Sequence, residues 1–335
     1  MILIIGATGF IGMYTTEAFL KAGYKVIGTG RNKILGNRLV EMGAEFIPLD
    51  ITNKRQYEAL PKHNVDAVIV LAGLLPAHCS ADLVDEENSA EYFKVNVIGL
   101  INILEYCRKN NIKKVIGNCS YSDVSNSWGK GKVITEAEPR GFKFKGDHAV
   151  YVISKNAAND VMEYYNQQHN MQCAWFRFPP VYGVGPHGTI MVNGKAYKSG
   201  IATFVDNAIA GNDIEIWGDP GTTRDIIYVK DVADAYIKAS QSEKTYGLYN
   251  MTSGVGVELE EQVKVIIDLF TKEKRSNIIY RPEKTNNTPS YLYSMDKARD
   301  DFGFVPQYSD FRVMMTDYKN ELESGRWEAL EKREA

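Results

Sequence analysis

The residues that most constrain this chain stand at its start. Met1-Ile2-Leu3-Ile4-Ile5 is a short apolar run, and Gly6-Ala7-Thr8-Gly9-Phe10-Ile11-Gly12 follows it without a gap. The run reads as a strand; Ile11, Ala18, Phe19 and Ala22 then carry a helical pattern. A strand, a glycine-rich turn and a helix in that order form the head of a βαβ unit suited to a dinucleotide. One glycine allows the tight turn, another lets backbone approach a pyrophosphate, and the third lets helix and strand pack closely. The helix N-terminus presents free N–H groups and a positive dipole end to the anion. Gly6, Gly9, Phe10, Ile11 and Gly12 are the first candidate cofactor contacts.

The rest of the first half repeats the theme. Lys25–Thr29, Glu45–Leu49, Ala67–Leu71, Lys114–Asn118 and Ala174–Phe178 are short, rich in Val, Ile, Leu or Phe, and bounded by turn residues. Strands buried on both faces look like this. Between two of them Phe93, Val97, Leu100, Ile101 and Leu104 paint one face of a helix. Alternating β and α segments imply right-handed crossovers and a doubly wound parallel sheet, an α/β fold with helices on both faces. The 335 residues suggest about two folding units. Residues 179–198 are rich in Gly, Pro and Tyr and read as an excursion, and a strand–helix unit returns at Asp225–Ser240. From Ser253 the chain is largely helical and charged, broken by the polar loop Thr285-Asn286-Asn287-Thr288-Pro289. Residues 1–178 and 224–252 are thus expected to form a dinucleotide-binding domain. Residues 179–223 and 253–335 would form a smaller, discontinuous, mostly α C-terminal substrate domain. The charged tail, Glu321–Ala335, reads as an exposed helix.

Charge and composition narrow the partners. Lys+Arg 39 against Asp+Glu 42 leaves −3, which disfavours nucleic acid or an anionic membrane as a partner. No apolar run approaches the roughly 20 residues that span a bilayer, and the N-terminal run lacks the basic region of a signal peptide. A soluble, cytoplasmic protein is expected. Cys79, Cys107, Cys119 and Cys173 form no C-x-x-C pair, and His63, His78, His148, His169 and His187 show no ligand spacing, so no metal site is expected.

Several motifs together carry a resemblance. The glycine spacing is G-x-x-G-x-x-G and includes Phe10-Ile11. Asp50 follows the third strand, Leu71-Ala72-Gly73 the fourth, and Asn96-Val97-Ile98-Gly99 lies in the next helix. Tyr151-Val152-Ile153-Ser154-Lys155 comes after, then Arg224-Asp225-Ile226-Ile227-Tyr228-Val229-Lys230-Asp231-Val232. Over most of its length the chain resembles the extended short-chain dehydrogenase/reductases, Rossmann-fold nucleotide-sugar epimerases and dehydratases. The resemblance implies that Asp50 and Ile51 contact the adenine end of the cofactor, that Leu71, Ala72 and Gly73 lie along it, and that Asn96 belongs to the same site. It also implies a homodimer through the helices bearing Phe93–Leu104 and Tyr151–Tyr164.

Cofactor choice follows from charge. An NAD enzyme of this kind carries a carboxylate at the end of the second strand; here Gly30 stands there and Arg31 follows. Glycine leaves room and a guanidinium can pair with a 2′-phosphate, so NADP(H) is expected over NAD(H). Tyr151 and Lys155, four residues apart, share a helix face. A tyrosinate can take the proton of an alcohol as hydride leaves its carbon. An unperturbed phenol has a pKa of about 10; a neighbouring Lys⁺ and an oxidised nicotinamide would favour the phenolate.

By resemblance Ser120, in Asn118-Cys119-Ser120-Tyr121-Ser122-Asp123, matches the family's catalytic Ser/Thr, with Ser122 the alternative. The gap from Ser120 to Tyr151 is longer than the resemblance implies. The 4,6-dehydratases place Thr-Asp-Glu here. Tyr121 and Ser122 stand at the Asp and Glu positions, with Asp123 one place beyond, which disfavours dehydration. Arg224 matches the arginine that pairs with a substrate diphosphate. In Arg177-Phe178-Pro179-Pro180-Val181-Tyr182-Gly183, Pro180 replaces an amide that contacts substrate in the family.

Three functional readings remain. The first is an NAD(P)-dependent epimerase acting on a nucleotide-diphosphate sugar at C4 through a keto intermediate. Its catalytic residues would be Ser120, Tyr151 and Lys155, and its substrate contacts Ser120, Pro180 and Arg224. The second is an NADPH-dependent keto-sugar-nucleotide reductase. The third, of another class, is a non-catalytic dinucleotide-sensing protein.

Overall fold

A computed structural model describes residues 1–76, 89–146, 148–185, 189–192, 195–286 and 288–328 of the chain. His78, Cys79 and His187 lie outside the described residues, as does the end of the tail. Seven parallel strands form the main sheet: β1 (Ile2–Ile5), β2 (Val26–Gly30), β3 (Glu45–Pro48), β4 (Ala67–Val70), β5 (Lys114–Ser120), β6 (Gln172–Phe178) and β7 (Gly247–Asn250). Their order is β7-β6-β5-β4-β1-β2-β3. Strand order reverses between β1 and β4, and a crevice opens there at the carboxyl ends of the strands. All six strands read from the sequence are present. The seventh, β7, went unread because Gly247-Leu248-Tyr249-Asn250 has only two apolar residues; it pairs with β6 through Leu248↔Trp175 and Tyr249↔Phe176. The expectation of burial on both faces fails at β3, an edge strand with Glu45 and Pro48 exposed.

Helices cover both faces. On one side α1 (Phe10–Lys21), α2 (Lys33–Glu41) and α6 (Val229–Gln241) bury Met13, Phe19, Leu39, Val232 and Tyr236. On the other, α3 (Leu100–Lys109) and α4 (Ala149–His169) bury Ile103, Leu104, Ala158 and Met162. Helix α3 is preceded by the π-helical turn Lys94–Gly99. That turn explains a mismatch with the sequence pattern: Leu104 is buried as the pattern requires, but Phe93 is exposed and Ile103, outside the counted face, is fully buried. A π-turn adds a residue to the helical period, so a face counted through it loses its phase.

The C-terminal part is helical, as expected, with short strands between its helices. Helices α5 (Gly200–Ala210), α7 (Leu259–Phe270), α8 (Asp296–Phe302) and α9 (Phe311–Ser324) are joined by two-stranded pieces. Ile214–Trp217 pairs with Ile278–Arg281, Thr223–Asp225 with Gly256–Glu258, and Leu292–Tyr293 with Val133–Ile134. The strand before α6, Ile227–Tyr228, pairs with Val181–Tyr182 and stays outside the main sheet. The described part of the tail, up to residue 328, is not an exposed helix. Helix α9 stops at Gly325 in the left-handed conformation, and Trp327, 3% exposed, packs its ring 4.6 Å from that of Tyr14. Arg326 pairs with Glu17 of α1 and with Glu321.

Candidate active site

The glycine turn is shaped by contacts that leave no room for side chains. Gly6 has φ +91°, and a Cβ there would stand 2.5 Å from the Ala72 nitrogen. At Gly12 a Cβ would stand 2.3 Å from the Gly6 carbonyl oxygen. Gly9 is exposed and caps α1 with no side-chain bond, and the first turn of α1 holds no acid. The first amides of the helix therefore keep their hydrogen-bonding capacity for an anion, which fits a dinucleotide pyrophosphate. The Phe10 ring packs under the backbone of Gly183 and Gly185, and Ile11 lies against the sheet core. Both can serve a cofactor through their backbone amides.

Farther along the crevice, Gly30 abuts the turn itself: a Cβ at residue 30 would lie 2.1 Å from Thr8 Oγ1. Arg31 is exposed. Asp50 accepts from the Thr52 amide (2.9 Å) and Thr52 Oγ1 (2.7 Å). Partial burial works against its charge, but these bonds and the cations Arg31 and Lys94 hold its carboxyl below the usual range. Ile51 is buried, and its carbonyl accepts from Asn102 and Tyr57. The amides of Leu71 and Ala72 both donate to the Ile5 carbonyl, which pins this stretch beside β1. Gly73 sits so close to Asn96 that a Cβ would lie 3.2 Å from Asn96 Oδ1. Asn96 accepts from the Leu74 amide (2.7 Å) and donates to the Leu74 carbonyl (3.1 Å) and Ser154 Oγ (3.0 Å). Its amide is spent on holding the loop after β4, so it acts as a positioning residue.

Tyr151 lies in the first turn of α4, and the helix packs against β5 and the 3-10 turn Tyr121–Ser127 that follows it. Lys155 is buried one turn on, and its Nζ donates to Asn118 Oδ1 at 2.7 Å. Burial lowers its pKa to about 8, against the influence of Cys119. Burial pushes the Tyr151 phenol up, and Cys119 and Tyr121 push the same way. Proximity to Lys155 alone therefore does not bring Tyr151 toward neutrality, because the ammonium is turned to Asn118. Asn118 was not singled out in the sequence; a lone amide in an apolar strand gives little signal. Ser120 ends β5, buried, and its Oγ accepts the Ser122 amide at 3.2 Å. Behind Lys155, Asn96, Asn118 and Asn159 help to line a small cavity of about 10 Å³.

Aromatic rings gather beside the 3-10 turn. Tyr121 stacks on Trp128 (5.3 Å, 21°) and leans on Tyr291 (5.8 Å). Tyr293 Oη donates to the Tyr121 carbonyl at 2.9 Å. Arg224 lies opposite Tyr291 in a parallel bridge, and its Nη2 donates to Asn286 Oδ1 at 2.8 Å. Among the described residues Arg224 has no ion pair. Asp123 is no free acid: it is 2% exposed and paired at 2.9 Å with Arg177, 1% exposed, which also donates to Asn250. Pro180 is half-buried, its carbonyl accepting the Ile227 amide. Tyr121 and Trp128 come from one segment and Tyr291 and Tyr293 from another far along the chain, and no sequence pattern joined the two. No group of three or more His, Cys, Asp or Glu residues among the described residues gathers as a metal site would require.

Comparison with known proteins agrees with this arrangement. A Methanocaldococcus jannaschii protein that carries UDP-glucose 4-epimerase as a provisional name is 28% identical over 92% of this chain and 93% of its own. Two solved structures share the fold. The UDP-glucose 4-epimerase of Thermotoga maritima with UDP-glucose has a TM-score of 0.76 at 20% identity, covering 96% of this chain and 98% of that one. The dTDP-glucose 4,6-dehydratase of Bacillus anthracis in complex with NAD has a TM-score of 0.76 at 21% identity, covering 98% and 99%. The model of one family matches residues 2–252. With the glycine turn, the Tyr151–Lys155 pair and the doubly wound sheet in one frame, the chain belongs to the NAD dependent epimerase/dehydratase family.

Proposed function

We propose that the protein is a nucleotide-sugar epimerase that works at sugar C4 through a keto intermediate, with NADP(H) favoured as cofactor and NAD(H) as the alternative. The observation that carries this reading is that Tyr151 and the Asn118-held Lys155 stand at the same sheet edge as the glycine turn, near Ser120. When bound, the nicotinamide supplies a reversible hydride acceptor. Tyr151 would act as the phenolate, a form that the positive charge of a bound oxidised nicotinamide would favour together with Lys155; its oxygen takes the hydroxyl proton and returns it after the keto sugar has turned over. Lys155 holds the nicotinamide ribose, and Ser120 steadies the substrate oxygen. Arg224 offers the diphosphate an unpaired guanidinium. Asp123, locked to Arg177, is unavailable as the acid that dehydration needs.

Arg31 supports NADP(H), since an exposed guanidinium near the ribose can pair with a 2′-phosphate. It also keeps the single-pass ketoreductase as the second reading, because NADPH is the usual hydride donor of reductions. We take residues 1–178 and 224–252 as the dinucleotide-binding part and 179–223 and 253–335 as the substrate part. Phe93, Ile98 and Tyr164 are exposed on or beside the helices through which a homodimer would form. No described helix is long and apolar enough to cross a membrane, which is compatible with a cytoplasmic enzyme.

Incubation with a panel of nucleotide sugars, with and without NADPH, read by mass and NMR, separates the readings. Epimerisation without net cofactor consumption supports the first; stoichiometric NADPH oxidation favours the reductase. Replacing Tyr151 by Phe is expected to lower turnover by about 10²–10⁴-fold. Unchanged turnover would remove Tyr151 from the mechanism, and no turnover with any sugar would favour the non-catalytic reading.

A further inference from the structure

The turn capped by Ser120 holds one half of a fully buried ion pair. Asp123 and Arg177 are 2% and 1% exposed; Arg177 Nη2 donates to Asp123 Oδ2 at 2.9 Å, and Nη1 donates to Asn250 Oδ1 at 3.0 Å. Every other ion pair among the described residues keeps at least one partner partly exposed. Removing two charges from water costs several kcal/mol per ion, and apolar residues of similar volume are often at least as stabilising. Stability is therefore a poor reason for the pair. Ser120 and Tyr151, which must meet one substrate oxygen, are joined by the long connection 121–150. We propose, resting on the epimerase reading above, that Arg177 and Asp123 are positioning residues: they pin this connection and so fix Ser120 against Tyr151.

The pair reaches the connection from both ends. In the 3-10 turn Tyr121–Ser127, Val124 departs from helical geometry (φ −118°, ψ 21°), so backbone bonding alone does not make the turn one rigid unit. Asp123 holds it twice. Its carboxylate is fixed by Arg177, which stands opposite Cys119 in the register of β5 and β6. Its carbonyl accepts the Gly141 amide at 2.7 Å, and the Gly141 carbonyl accepts the Asn126 amide at 2.8 Å. Gly141 lies on the segment that runs into α4, where Tyr151 occupies the first turn. Arg177 reaches the same connection through Asn250. The Asn250 amide donates to Glu136 Oε1 (2.8 Å), and Asn250 Nδ2 donates to the Ile134 carbonyl (3.1 Å). Ile134, Glu136 and Gly141 are thus bound in one network to β6 and β7. A guanidinium suits this task because its planar fork aims one Nη at Asp123 and the other at Asn250, an angle that packed apolar chains would not impose.

The test compares the full wild-type chain with Arg177→Lys and with the double variant Asp123→Leu plus Arg177→Met, on the sugar that the nucleotide-sugar panel identifies. The double variant leaves no buried charge behind and should fold, melting within about 5 °C of the wild type. Its kcat should fall roughly tenfold to a hundredfold, the cost of displacing a reacting group by about 1 Å, with KM and NAD(P)H affinity unchanged. Arg177→Lys keeps a cation for Asp123 but cannot fork to Asn250, so its kcat should lie between the two. A merely structural pair would lower the melting temperature and leave kcat per folded molecule alone. Wild-type kcat in a folded double variant overturns the positioning role; if that variant does not fold, wild-type kcat in Arg177→Lys overturns it. Hydrogen exchange gives an answer that needs no substrate: the Gly141 and Asn126 amides should exchange about tenfold faster or more in the variants, while the interior of α4 stays protected. Unchanged exchange at both amides overturns the pinning whatever the sugar. If the wild type turns over no sugar yet these amides loosen in the variants, the pinning stands and the epimerase reading falls.

Discussion

Replacing Gly30 by Asp would install the carboxylate that an NAD-selective site of this kind carries at the end of β2. In this chain the change meets an obstacle. The new Cβ would lie 2.1 Å from Thr8 Oγ1, 2.8 Å from Cγ2 and 3.0 Å from Cβ. Rotating Thr8 about χ1 can swing a hydrogen toward residue 30 in place of Oγ1, but the Cβ contact survives any rotation. Thr8 belongs to the phosphate turn, so the remaining displacement passes to Gly9 and the first amides of α1. Overpacking of this kind costs about 1–3 kcal/mol, roughly fivefold to a hundredfold in affinity. Gly30→Asp alone should therefore weaken both NADH and NADPH. Thr8→Gly with Gly30→Asp removes Oγ1, Cγ2 and the Cβ itself and should recover NADH binding while leaving NADPH excluded by the carboxylate. Arg31→Ala should cost NADPH about tenfold or more and leave NADH unchanged. Fluorescence titration with each reduced cofactor measures all of these. If Gly30→Asp alone bound NADH tightly, the Thr8 contact would not constrain the site. If the wild type preferred NADH, the argument from Arg31 would fail.

Two further outcomes follow from burial. The Lys155 pKa of about 8 places an alkaline limb on cofactor affinity near that pH, well below the ordinary lysine value. Above it the ammonium proposed to hold the ribose is lost. Asn118→Leu removes the acceptor that favours the charged form, so the limb should move to lower pH; a profile flat from pH 7 to 10 would refute this. Trp327→Ala empties a buried site against Tyr14 and removes the indole N–H that Glu321 Oε2 accepts at 2.7 Å, leaving that oxygen to Arg326. The expected cost is about 3–5 kcal/mol, a melting temperature lower by roughly 5–15 °C. A tail that hung free would give no shift in a thermal melt.

Much of the sheet was legible because each buried parallel strand announces itself locally, as Ile2–Ile5 and Ala67–Val70 do with four consecutive buried residues. Where pairing is decided at a distance the signal thins. Gly247–Asn250 is a strand because β6 offers it an edge, and only two of its residues are apolar. The same division runs through the site. Gly6, Gly9 and Gly12 are contiguous enough to read, and Tyr151 and Lys155 are one turn apart. Asn118, however, acquires meaning only when Lys155 is folded against it. Tyr121, Trp128 and Tyr291 become a wall only when two distant segments meet. Gly30 is an intermediate case. The sequence pointed to this residue for the space it leaves at the ribose, whereas the nearest atoms that demand glycine are those of Thr8.

Ser120 shows that a structural reading and a catalytic one need not compete. Its Oγ accepts the Ser122 amide and so caps the 3-10 turn that begins at Tyr121. A hydroxyl has one proton to donate and two lone pairs to accept with, so capping leaves the proton free for a substrate oxygen. The capping bond also selects the side-chain rotamer and thereby aims that proton. Ser120→Ala should then lower both stability, by about 1 kcal/mol for the lost cap, and turnover. Ser120→Thr keeps the hydroxyl. The backbone at this position is extended (φ −97°, ψ 134°), which a β-branched residue accepts readily, so both properties should be largely retained. The informative case is the alanine variant measured by thermal melt and by turnover together. A lower melting temperature with wild-type turnover would leave Ser120 as a cap and nothing more, and the oxygen-holding role would pass to another hydroxyl of the same loop.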